Sequence, residues 1–253
     1  MAAELQNSIL ILDGDAESTL LFDAEIAMQA VFAEREMSVV RAWSTRPDWL
    51  NASSPELPQS LVGSGALRDA DARARLNEPH RLIILSTLPA VAFPALKHRD
   101  GGAFIAPRGL RAGWSADIAE RVAAECLQEP PMSPEEAASA WELLIERLQA
   151  RGATVALCTT FRHVRESLEL PGRQEVAALR EVIRRMNLEV ARLSLRTGCF
   201  VLDLDRPLAH EGGAVLGADC FGGQGRAAEI ALDEFAAVVM DAIPDAVMPL
   251  ETS

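Results

Sequence analysis

The stretch Ser8-Ile9-Leu10-Ile11-Leu12-Asp13-Gly14-Asp15 decides how this chain is read. A short, unbroken aliphatic run that stops abruptly at acids and a glycine is the pattern of a parallel strand buried on both faces and opening into a loop. Beyond it, Leu20, Leu21, Ala24, Ala27, Met28, Val31 and Phe32 make a helical stripe, and MSVVRAW at 37–43 supplies a second strand. The opening is therefore β-α-β.

The alternation continues outward from there. RLIILSTLP at 81–89 is the strongest central-strand candidate, because its aliphatic run ends sharply in Ser86, Thr87 and Pro89. Further on, Ser133 can cap a helix, Pro134 suits its first turn and Glu136 can close a capping box. Ala137, Ala140, Trp141, Leu144 and Leu148 give that helix a buried face, and Gly152 ends it. ATVALCTTF at 153–161 follows as a strand, then a long helix at about 173–197 stopped by Gly198, then CFVLDLD at 199–205 as the final strand. The last helix runs from about Arg226 to Ile243 and ends at Pro244.

Two stretches break the rhythm. Residues 44–79 are rich in turn formers, with a short helix around 66–76, and residues 89–114 contain GAFIAP, which is either an extra short strand or a loop packed through Phe104 and Ile105. Asp117 to Gln128 is expected to be helical up to the break at Pro130 and Pro131. Strands alternating with helices predict a single α/β domain over 1–253, a three-layer α/β/α sandwich with a mainly parallel central sheet. The stretches at about 44–79 and 89–114 are its variable loops.

Composition narrows the function classes. A chain of 253 residues with 49% hydrophobic content can bury a large core, and its formal charge of −13 repels nucleic acid at long range. The first residues, MAAELQN, carry an acid and no basic segment, and no apolar run reaches about 18 residues. A cytoplasmic protein that engages neither nucleic acid nor membrane is the expectation. Cys126, Cys158, Cys199 and Cys220 are too dispersed for a zinc knuckle or a redox pair, and they read as reduced cysteines.

Open parallel sheets bind ligands outside the carboxyl ends of their strands. Four polar loops take that position: Asp13 to Ser18, Ser86-Thr87, Thr159-Thr160 with Arg162-His163, and the late loop around Asp219. Arg162 can pair with a carboxylate or phosphate, and His163 can donate or accept a hydrogen bond; a salt bridge to nearby acids is the simpler role. Asp13, Asp15 and Glu17, with Asp203, Asp205 or Asp219, carry the oxygen ligands of a hard-metal site, but loop capping is the simpler use, so no metal or other cofactor is assigned. The glycines of GADCFGGQG follow no strand directly and suit a turn better than a nucleotide loop.

The ILILDGD strand and loop, the helix ending in RGATVALCTTF, the long helix leading into FVLDLDRPL and the closing ADCFGGQGRAAEIALDEFAAVV segment together resemble the SGNH, or GDSL-type, hydrolases across nearly the whole chain. The resemblance implies an SGNH-like, flavodoxin-like fold, a serine nucleophile in the first loop, and an Asp-x-x-His pair before the last helix. Here the first loop reads Gly14-Asp15-Ala16 and the late motif Asp219-Cys220-Phe221-Gly222, so alanine stands at the nucleophile and glycine at the base. Neither side chain can attack a carbonyl or carry a proton.

Displaced substitutes are Ser18 as nucleophile and His163 as base, with Asp219 as orienting acid; their structural alternatives are a helix cap for Ser18 and a surface position for His163. Asp13, Asp15, Ser86, Thr87, Thr160 and Arg162 are the candidate substrate-binding residues. The resemblance implies a noncanonical SGNH-like protein that takes a small-molecule or carrier-linked substrate, in acyl-ester hydrolysis or acyl transfer. A catalytically silent binding or assembly subunit, joined to a protein partner or to itself as a homo-oligomer, is the alternative, and a metal-assisted hydrolase is the third.

Overall fold

The computed structural model describes residues 6–13, 26, 28–29, 31–34, 36–43, 46–51, 72–99, 103–105, 114–161, 173–211 and 226–243. In chain order its elements are β1 (Gln6–Asp13), β2 (Ser38–Trp43), α1 (Pro47–Asn51), α2 (Ala72–Asn77), β3 (His80–Ser86), α3 (Leu88–Ala92), β4 (Ala95–His98), β5 (Ala103–Ile105), α4 (Ala116–Glu125), β6 (Cys126–Glu129), α5 (Pro134–Gln149), β7 (Thr154–Cys158), α6 (Arg173–Thr197), β8 (Phe200–Leu202), α7 (Asp205–Glu211) and α8 (Arg226–Ala242). Residues 26, 28–29 and 31–34 are also helical.

Five strands form one sheet in the order β2-β1-β3-β7-β8, and every neighbouring pair is parallel. Alternating side chains explain why β1 reads as a continuous aliphatic run. Ile9 and Ile11 pack on one face with Phe32, Phe235, Val238 and Val239, whereas Leu10 and Leu12 pack on the other with Trp49, Trp141, Leu144 and Val190. Each face therefore needs its own apolar cover, which makes the chain an α/β protein with helices on both sides of a mostly parallel sheet. Phe32 and Phe235 meet edge to face, with ring centroids 6.1 Å apart, and tie the early helical residues to α8.

Helix boundaries follow their caps. Ser133 accepts from the Glu136 N–H while the Glu136 carboxylate accepts from the Ser133 N–H, so the capping box expected from the sequence forms. Gly152 and Gly198, after α5 and α6, adopt positive φ of 91° and 70°.

Two expectations need correction, and the reading of GAFIAP left open between strand and loop is decided for the strand. The helix expected over Asp117–Gln128 ends at Glu125, and Cys126–Glu129 is strand β6. Cys126 is already extended while its N–H still bonds to Val122 O, and β4 then offers the segment a complete backbone ladder, so pairing overrides helix propensity. GAFIAP supplies β5, whose Phe104 is fully buried; β5, β4 and β6 form a separate antiparallel sheet. The last strand is only Phe200–Leu202, because Asp203 turns the chain into α7.

The small sheet docks beside the exit of β2. Arg46 donates to Asp48 Oδ2 at 2.6 Å and to Glu129 Oε2 at 3.0 Å, and Lys97 reaches Glu129 Oε1 at 3.3 Å. Burial works to lower the Arg46 pKa, but the hydrogen bond and charge of Asp48, with Glu129 and Glu136, raise it overall. Met132 N–H completes the join by donating to Ala90 O at 2.9 Å.

Candidate functional site at the strand exits

The strand order places its turning point between β1 and β3, since the chain steps to β2 on one side of β1 and to β3, β7 and β8 on the other. Loops leaving at such a point diverge and open a crevice. Register defines the rim: Asp13 pairs with Trp43, Leu12 with Leu85, Ser86 with Cys158, and Cys158 with Leu202. Asp13 and Ser86 thus end adjacent strands at the same level. Of the sequence-derived candidates, Asp13, Ser86, Thr87 and Thr160 come together along this rim, while Asp15, Ser18, Arg162, His163 and Asp219 lie outside the described residues.

The rim hydroxyl residues are buried, and the hydroxyls of Thr87 and Thr159 hold strand exits together. Ser86, Thr87 and Thr160 are 1%, 0% and 2% exposed. Thr87 donates its hydroxyl to Cys158 O at 3.1 Å, bridging the exits of β3 and β7. Thr159 donates to Asp203 Oδ1 at 2.9 Å and accepts from the Leu204 and Asp205 N–H groups at 2.9 and 3.0 Å, bridging β7 to β8. The same Asp203 oxygen accepts from Asp205 and Arg206 N–H, each at 3.2 Å, so this carboxylate is the N-cap of α7. Among the described residues no group of three or more histidine, cysteine or acidic side chains is arranged to hold a metal.

Asn187 of α6 was not legible as part of this frame. Its Oδ1 accepts from Thr160 N–H at 3.0 Å and its Nδ2 donates to Thr160 O at 2.7 Å, so one amide satisfies both backbone groups where the chain leaves β7. Nothing in its sequence surroundings sets it apart from a solvent-facing asparagine. Close by on α8, burial raises the Glu234 pKa, with the negative charges of Asp203 and Asp233 acting the same way and Arg206 opposing.

A hydroxyl–imidazole pair occurs where the sequence offered no hint, at the entry of β1 and β3. Ser8 Oγ lies 2.8 Å from His80 Nδ1, and His80 Nε2 lies 2.9 Å from Arg75 O. A carbonyl only accepts, so Nε2 donates to Arg75 O, and Nδ1 pairs with the Ser8 hydroxyl. Both residues are 1% exposed, which denies the pair a substrate and makes it a strap between strands. Burial raises the thiol pKa of Cys199 and, with help from Glu125, of Cys126, which disfavours the reactive thiolate at both.

No protein-family model matches the chain, and no curated protein matches it. Among solved structures it is similar to a protein assigned as an SGNH hydrolase from Slackia heliotrinireducens, at 16% identity over 92% of this chain and 98% of that one, with a TM-score of 0.48. It is similar to an acetyl-xylooligosaccharide esterase from Geobacillus Stearmophilus at 11% identity, covering 94% and 96%, with a TM-score of 0.49. A psychrotrophic esterase from Pseudoalteromonas sp. is 11% identical over 94% and 100%, with a TM-score of 0.44. These likenesses are distant and transfer neither a site nor a substrate. Among the described residues, no helix is long and apolar enough to cross a membrane.

Proposed function

We propose that the crevice between the exits of β1 and β3 binds a small-molecule or carrier-linked substrate, in acyl-ester hydrolysis or acyl transfer by a noncanonical SGNH-like protein. One observation supports this reading: a parallel sheet whose turning point aligns Asp13 with Ser86 and whose rim is braced by buried hydroxyls. Such bracing fixes the roots of the loops that would carry chemistry, and catalysis depends on roots that do not move. Thr87 and Thr159 are the frame in this reading; Ser18, His163 and Asp219, with Asp15 and Arg162, are the working groups.

The experiment is an acyl-ester panel combined with a serine-reactive phosphonate. Turnover with labelling that disappears in a folded Ser18→Ala protein supports the hydrolase; labelling retained in that variant removes Ser18 from the mechanism. Neither turnover nor labelling favours the second reading, a catalytically silent binding or assembly subunit. Ala16 and Gly222, at the positions where the resembled family carries its nucleophile and base, are the specific reason to keep that second reading.

A further inference from the structure

Away from the rim, two arginines carry charge that no carboxylate answers among the described residues. Arg147, near the end of α5, donates to Leu50 O at 2.9 Å and to Asn51 O at 3.5 Å, and its Nε is buried with no hydrogen-bond partner. Arg151, one helical turn further, donates to Asn77 Oδ1 at 3.2 Å and to Leu76 O at 3.4 Å. Arg73 completes the group, its guanidinium 4.5 Å over the ring of Trp49, the residue before Leu50. All three therefore gather where α1, α2 and the end of α5 meet.

This arrangement is electrostatically expensive. Burial lowers the pKa of Arg147, and the charges of Arg151 and Arg73 push it the same way. The carbonyls at the end of α1 offset only part of that cost, because a helix of 5 residues sums few peptide dipoles. Guanidinium groups are planar forks that grip oxyanions through paired N–H bonds, and each of these two still has N–H groups beyond those given to carbonyls.

We propose that Arg147 and Arg151, with Arg73 beside them, bind a phosphate group, either as the free ion or as part of a small metabolite. The position is distinct from the strand-exit crevice, since Arg151 leads into the start of β7 and Asn77 into the start of β3. Its occupancy would tie α1 and α2 to α5 with charge of the sign that Arg147 and Arg151 do not meet among the described residues.

Inorganic phosphate and glycerol phosphate are titrated in parallel against the intact protein, with ionic strength held constant by sodium chloride, reading both the ³¹P linewidth and the thermal unfolding midpoint. The expected result is broadening and a saturable rise in midpoint, with apparent affinity about tenfold weaker in Arg151→Met, whose side chain is exposed. Tighter binding of glycerol phosphate identifies a phosphorylated metabolite as the ligand, and equal binding identifies the free ion. A wild-type midpoint and linewidth that respond to phosphate no more than to chloride overturn the proposal, as does an undiminished response in the folded Arg151→Met protein.

Discussion

The hydroxyl of Thr159 shows why residue type alone misleads about a polar strand exit. In sequence it is one of several hydroxyls placed where a ligand would sit; in the structure it donates to Asp203 and accepts two backbone N–H groups. Thr159→Val keeps the shape but leaves the Leu204 N–H without its acceptor and takes one donor from the Asp203 oxygen, which keeps the Asp205 and Arg206 N–H groups, and should lower stability by about 2 kcal/mol. Thr159→Ser should lose far less. Urea midpoints measured on both variants check this, and a loss in Thr159→Ser larger than that in Thr159→Val would mean that the methyl group, not the hydroxyl, matters. Asn187 teaches the converse, because its role depends on where a helix side chain arrives relative to Thr160, and local sequence carries no trace of that distance.

At the scale of elements, boundaries set by local chemistry were legible and boundaries set by partners were not. The Ser133 capping box and the 173–197 helix stopped by Gly198 fall where caps and periodicity put them. Gly198 has φ of 70°, and nothing lies within 4 Å of a Cβ added there. Gly198→Ala should therefore cost about 1 kcal/mol through backbone strain alone, with Gly198→Asn intermediate, as thermal unfolding of the two variants would reveal. By contrast, the β6 segment looks helical until β4 lies beside it, since a strand of four residues is stabilised by its ladder rather than by its own preferences.

For the whole molecule, the question is how the antiparallel sheet is held to the parallel one. Arg46, only 13% exposed at its side chain, joins Asp48 near the exit of β2 to Glu129 at the end of β6. Arg46→Met should loosen this join, speeding amide exchange in β4 and β6 by about fivefold while leaving β1, β3 and β7 unchanged, the response of a part-buried ion pair worth ~1 kcal/mol. Uniform acceleration across both sheets would show that the two open as one unit. Hydrogen exchange followed by mass spectrometry resolves these segments.

Taken alone, the sequence determined the alternation of strands and helices, the parallel character of the main sheet and the strands whose exits carry polar residues, because hydrophobic period and capping are local properties of the chain. Only the tertiary structure decided the strand order that puts Asp13 level with Ser86, the second sheet, the role of Asn187 and the meeting of Arg73, Arg147 and Arg151. Those features join residues tens of positions apart, and such contacts follow from how whole elements pack, which no short window of residues encodes.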